Sequence, residues 1–109
     1  MTLLVDVANV VGSRPDGWWR DRAGATSRLL AQLAALDDEV VAVVEGRARD
    51  VPEVPGVRLV RATGSGDDAL VAVLPELDAP VVVTADCGLR DRLPAGTVVH
   101  GPGWLLDRL

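Results

Sequence analysis

The chain of 109 residues has no lysine, tyrosine or phenylalanine, and only one cysteine, one histidine and one methionine. Each absence closes a class of chemistry. Without lysine there is neither a P-loop nor a receiver-type phosphoacceptor site. With Cys87 as its only cysteine the chain forms no internal disulfide, which fits a reducing cytosol. No apolar run approaches the roughly 18 residues of a membrane span. The first residues carry no basic stretch followed by a small-residue cleavage site, so neither a signal peptide nor a membrane partner is expected, and the expected location is cytoplasmic. Positive charge is also scarce. The net charge is −5, and all 11 basic residues are arginine. That balance excludes a protein that grips nucleic acid through overall charge.

What is present is a β-branched and leucine-rich chain, 49% apolar, long enough for one core. Leu3 to Ala8 reads as a first strand within a longer apolar run to Val11, with Asp6 set inside it and Asn9 at its far end. Residues 9–21 read as a loop rich in Gly, Pro, Asp and Trp. Residues 22–36 read as a helix, with Leu29, Leu30, Leu33 and Leu36 on one apolar face. The apolar run 40–44, bounded by Glu39 and Glu45, is short and β-branched, as a strand of a parallel sheet buried on both faces requires. Residues 57–62 alternate and suggest a strand nearer an edge. A helix is expected over 67–77, kinked or shortened by Pro75. A strand at 80–85, a short helix at 86–93, a strand at 97–100 and a helical turn from Pro102 complete the chain. Strands alternating with helices predict a three-layer α/β/α domain with a mostly parallel five-stranded sheet, order 3-2-1-4-5, over residues 1–109.

A carboxylate in a buried strand costs several kcal/mol unless something compensates it, and nothing local requires Asp6. Ligands of open parallel sheets bind outside the carboxyl ends of the strands, where the order reverses. Asp6 and Asn9 leave the first strand there, Asp67 and Asp68 open the helix after the third, and Asp86 follows the fourth. In the expected order Asp6 and Asp86 are neighbours. Two carboxylates that close either share a proton or take a cation, and Mg²⁺ or Mn²⁺ suits oxygen ligands plus water. Each acid also has a simpler role. Asp67 and Asp68 favour a helix N-terminus, Ser65 with Asp68 resembles a capping box, and Asp86 can cap a short helix.

Three motifs are similar to those of the NYN domain and the wider PIN-like nucleases. They are Asp6-Val7-Ala8-Asn9 after a hydrophobic strand, Gly66-Asp67-Asp68-Ala69-Leu70-Val71 opening a helix, and Val83-Thr84-Ala85-Asp86-Cys87-Gly88-Leu89-Arg90 after a later strand. The ending Gly101-Pro102-Gly103-Trp104-Leu105-Leu106 resembles that of small bacterial NYN-like proteins. The resemblance implies a single PIN-like domain and a metal-dependent endoribonuclease that hydrolyses RNA phosphodiester bonds. In that reading Asp6, Asp67, Asp68 and Asp86 are the metal ligands, and Asp6, Asn9, Asp68 and Asp86 the catalytic set, with Asp67 supporting Asp68 or sharing its role. Two positions depart from the pattern. Val7 stands where Gly is common. Asp91, the only candidate for a further acid, lies about 140° around a helix from Asp86 and reads as a surface charge.

After the first motif comes a segment whose four arginines (Arg14, Arg20, Arg22, Arg28) outnumber two aspartates (Asp16, Asp21), a local net of +2. Arginine and indole together hold phosphates and stack on unpaired bases. Arg14, Trp18, Trp19, Arg20 and Arg22 are therefore candidate contacts to single-stranded or structured RNA, with one indole expected buried and one exposed. Cys87 with His100 offers a rival, a cysteine hydrolase, but no nucleophile motif surrounds Cys87. The other rival is a weakly active or inactive PIN-like module that binds RNA or protein. A homodimer or a protein partner is compatible with either reading.

Overall fold

The computed structural model describes all residues, Met1–Leu109. Strand β1 (Thr2–Asp6) lies at the centre of a five-stranded sheet of order β3-β2-β1-β4-β5. Its neighbours are β2 (Glu39–Val44) and β4 (Val81–Val83), with β3 (Val57–Arg61) and β5 (Val98–His100) at the two edges. Every pairing is parallel. The strand order and the alternation of strands with helices are those read from the sequence, and β3 is an edge as its alternation suggests.

The strand period places successive side chains on opposite faces. Leu3, Val5, Val40, Ala42, Val81 and Val83 point into the larger core cluster, beneath α1 (Val7–Gly12), α2 (Arg22–Ala34) and α5 (Pro102–Leu106). Leu4, Val41, Val43 and Val82 point the other way, against Leu70 and Val73 of α3 (Gly66–Val73) and Leu89 of α4 (Cys87–Arg90). The central strands are thus apolar throughout because they are covered twice. No helix is long and apolar enough to cross a membrane.

The first strand is shorter than its apolar run suggests. It ends at Asp6, and Val7–Gly12 is helical rather than strand or loop. The reason lies in the partners: β4 stops at Val83 and β2 at Val44. An extended chain beyond Asp6 would leave its N–H and C=O groups without a ladder. The helix supplies its own hydrogen bonds and buries Val7, Val10 and Val11, an i, i+3, i+4 set on one face. Residues 9–21 also hold a 3-10 turn at Trp18–Arg20. After α3 a further 3-10 turn, Leu74–Glu76, carries Pro75, so the proline does end the regular helix.

Candidate active site

Strand pairing brings the first acid and the loop after β4 together. Leu4 is in register with Val82 and Val5 with Val83, so the next residues, Asp6 and Thr84, leave adjacent strands on the same face. Both are buried, at 7% and 0% exposure. The Thr84 hydroxyl donates to Asp6 Oδ2 at 2.8 Å, and the backbone N–H of Asp86 donates back to Thr84 Oγ1 at 3.1 Å. One hydroxyl therefore couples the two acidic positions on either side of the point where strand order reverses. Asp6 occupies the N-cap position of α1 but makes no capping hydrogen bond; its carboxylate is committed to Thr84.

Asn9 stands on the first turn of α1, and its Oδ1 accepts the N–H of Ala85 at 2.8 Å. With its oxygen engaged there, the amide nitrogen remains as a donor. Asp86 caps α4 through Oδ1, which accepts from Leu89 N at 3.1 Å. The capping role and a place at the acidic edge coexist in this residue.

Asp6, Asn9 and Asp86 line one concavity of about 240 Å³ together with Ala8, Glu45 and Asp67. Glu45 was legible only as an acid bounding an apolar run. It follows β2 directly, at the same edge, and shares the face of Val43. Its carboxylate accepts the N–H of Gly66 at the start of α3, where the helix dipole favours negative charge. A Cβ built at Gly66 would stand 2.5 Å from Glu45 Oε2, so a larger residue there would displace the end of the Glu45 side chain. Thr84 is the other residue that motif reading passed over; its place one residue beyond an apolar strand was the signal.

The two adjacent aspartates of α3 separate. Asp67 enters the concavity. Asp68 does not: it is exposed and pairs with Arg92 Nη1 at 2.9 Å. Consecutive residues of a helix point about 100° apart, so only one of the pair can face the sheet edge. Ser65 caps α3 by accepting from Asp68 N at 3.1 Å, which is one half of the capping box; the Asp68 side chain goes to Arg92 instead of closing it. Asp91 is exposed, at the end of α4, outside the concavity.

Burial holds the Asp6 carboxyl above the ordinary carboxylate value of 3.8. The Thr84 hydroxyl opposes this, the Asp67 and Glu45 charges add to it, and the nearby Asn9 N–H, outside capping geometry, draws it down. Asp67 is raised as well, first by burial and then by Asp86 and Glu45, with Arg92 opposing. These acids therefore disfavour one another's ionisation. The donor set consists of carboxylate oxygens only, the chemistry of a hard cation. As arranged, no three carboxylates stand close enough to enclose an ion. One or two carboxylates completed by water remain within the habit of Mg²⁺.

The arginine–tryptophan segment is divided. Trp18 is half-buried against the main core and Trp19 is 57% exposed, so Trp19 is the exposed indole expected and Trp18 is only partly covered. Their rings meet edge to face at 5.9 Å. Arg22 lies over Trp18 and Arg20 over Trp19. None of Arg14, Trp18, Trp19, Arg20 and Arg22 lines the acidic concavity; Trp18 and Arg22 line a neighbouring cavity that shares Ala8 and Glu45 with it, and the other three line neither. Cys87 is exposed on α4, whereas His100 stacks on Trp104 at 4.2 Å.

No protein-family model matches the sequence, and no curated protein matches it. Among solved structures the chain is similar to Rae1 (YacP) from Bacillus subtilis, determined as a W164L mutant. The TM-score is 0.75 at 18% identity, over 98% of this chain and 73% of that one. Likeness at this identity is one of fold: a three-layer α/β/α domain around a parallel sheet of order 3-2-1-4-5.

Proposed function

We propose that residues 1–109 form a single NYN/PIN-like domain that hydrolyses RNA phosphodiester bonds with Mg²⁺ or Mn²⁺, in the cytoplasm. The observation that carries this reading is the gathering of Asp6, Glu45, Asp67 and Asp86 in one concavity at the carboxyl edge of the sheet. That edge, between β1 and β4, is where a parallel sheet reverses its strand order and takes ligands. The sequence resemblance to PIN-like nucleases and the shared fold support the same conclusion.

One or two of Asp6, Asp67 and Asp86 would ligate the cation directly and the others through water, with Glu45 adding to the negative charge around it. Such an ion would supply a more acidic water and offset charge developing on the phosphate. The protein's own part is positional. Thr84 keeps Asp6 and Asp86 in a set relation. Asn9 lines the same concavity, and its amide nitrogen, left free by the bond from Ala85 to Oδ1, would donate to a phosphate oxygen. Asp68, outside the concavity, has a structural role at α3.

A second reading, an RNA-binding module without catalysis, rests on the spacing of the carboxylates, no three of which enclose an ion as they stand. Incubating the protein with a mixed-sequence RNA, with and without Mn²⁺, separates the two. Mn²⁺-dependent cleavage that is lost in Asp6→Asn and in Asp86→Asn is the expected result. Cleavage that survives both substitutions sinks the nuclease reading.

A further inference from the structure

Beside the acidic concavity, and sharing Ala8 and Glu45 with it, lies a second cavity of about 260 Å³. Trp18, Arg22 and Thr26 form one wall and Arg47 another. The wall is fixed. Trp18 packs on the main core, and Thr26 is only 2% exposed. The Arg22 guanidinium lies over the Trp18 ring, 5.1 Å from its centroid, a cation–π pair that backs the guanidinium with the indole. Arg47 belongs to the 3-10 turn Gly46–Ala48, directly after Glu45. The ion pairs of the protein engage Arg49, Arg58, Arg92 and Arg108, so Arg22 and Arg47 keep their charge available to a ligand.

We propose that this cavity receives one unpaired nucleobase of the RNA substrate. The base stacks on the Arg22–Trp18 pair, and Arg22 and Arg47 hold the flanking phosphates. The next phosphodiester then lies over the acidic concavity. This rests on the ribonuclease reading and adds to it a base subsite beside the acidic concavity. Three observations argue for it. The chain carries a net −5, so RNA must be gripped by local arginines rather than by bulk charge. Stacking on aromatic rings and guanidinium planes is how proteins take splayed-out bases. The cavity, at about 260 Å³, also lies at the small end of ordinary ligand sites, a size that suits a single base.

The test measures binding and cleavage separately. Binding is followed by fluorescence anisotropy in EDTA, with a labelled single-stranded oligoribonucleotide and its blunt duplex. Arg22→Gln and Arg47→Gln are each expected to weaken single-strand binding by about 10-fold, the scale of one stacked base. Arg58→Gln, on β3 and paired with Glu76, should change it by less than about 2-fold, and the duplex should bind at least about 10-fold more weakly. Equal losses in Arg58→Gln and Arg47→Gln, or equal affinity for duplex and single strand, would overturn the proposal. In Mn²⁺, a single abasic residue is then moved along the oligonucleotide. Cleavage should fall only when it occupies one fixed position relative to the cut; indifference to its position overturns the base subsite. RNA that binds through Arg22 and Arg47 but is never cut removes the nuclease reading and leaves the subsite. RNA that is cut with both arginines dispensable does the reverse.

Discussion

Replacing Thr84 by valine tests the centre of the site with almost no change of shape. The hydroxyl donates to a buried carboxylate and accepts from the Asp86 N–H, and the side chain is 0% exposed. A hydrogen bond to a charged group contributes about 1.5–3 kcal/mol, and a neutral one about 0.5–1.5. Thr84→Val should therefore cost about 2–4 kcal/mol at neutral pH, measured by urea denaturation. The cost must also depend on pH. Burial already raises the Asp6 carboxyl above 3.8, and Thr84 opposes that rise, so valine raises it further. A carboxyl whose folded value is raised adds no penalty below the unfolded value and its full penalty above the folded one. The destabilisation by valine should then be largest at neutral pH and shrink as pH falls to and below 3.8, where Asp6 becomes protonated in both states. In an Asp6→Asn background most of the effect should vanish, because the charged acceptor is gone. A cost below about 0.5 kcal/mol, or one that is equal at both ends of this range, would refute the claim that Thr84 holds a charged Asp6.

By the same sign, Asp6→Asn should stabilise the metal-free protein at neutral pH by about 0.5–2 kcal/mol, with a gain that fades toward pH 3.8; a melting temperature below wild type at neutral pH would contradict it. Added Mn²⁺ should stabilise wild type by about 2.7 kcal/mol at 100 times its Kd and leave Asp6→Asn unmoved, and equal thermal shifts in the two proteins would count against Asp6 as a ligand. Asp67→Asn should lower cleavage by about 10–100-fold, whereas Asp68→Asn, which loses only the exposed pair with Arg92, should change stability by at most about 1 kcal/mol; equal losses of activity would contradict the separation of the two side chains. Gly66→Ala displaces the flexible end of Glu45 from the start of α3 and gives up its hydrogen bond to the residue 66 N–H, a cost of about 0.5–1.5 kcal/mol, so an alanine variant more stable than wild type would argue against that contact.

Strand order and layering were open to the sequence because burial on both faces writes itself into composition. Val40–Val44 and Val81–Val83 are continuous apolar runs made almost wholly of valine, covered by both core clusters. The acidic edge was open too, since Asp6 and Asp86 each stand where an apolar strand ends, and parallel strands end at one edge. Other features needed the packed chain. Val7–Gly12 is as β-branched as the strands, and only the shortness of β4 and the end of β2 decide that it coils. That choice moves Asn9 from a strand end onto a helix, where its oxygen is taken by Ala85. Asp67 and Asp68 are equivalent in sequence, and helical rotation with the position of Arg92 assigns one to the concavity and the other to solvent. Glu45 looked like a strand boundary until the N-terminus of α3 was seen to meet it. Local pattern determines which residues are buried and where strands stop. Which carboxylates share a space, and which hydroxyl holds them, follows from contacts far apart in sequence, and only tertiary structure decides those.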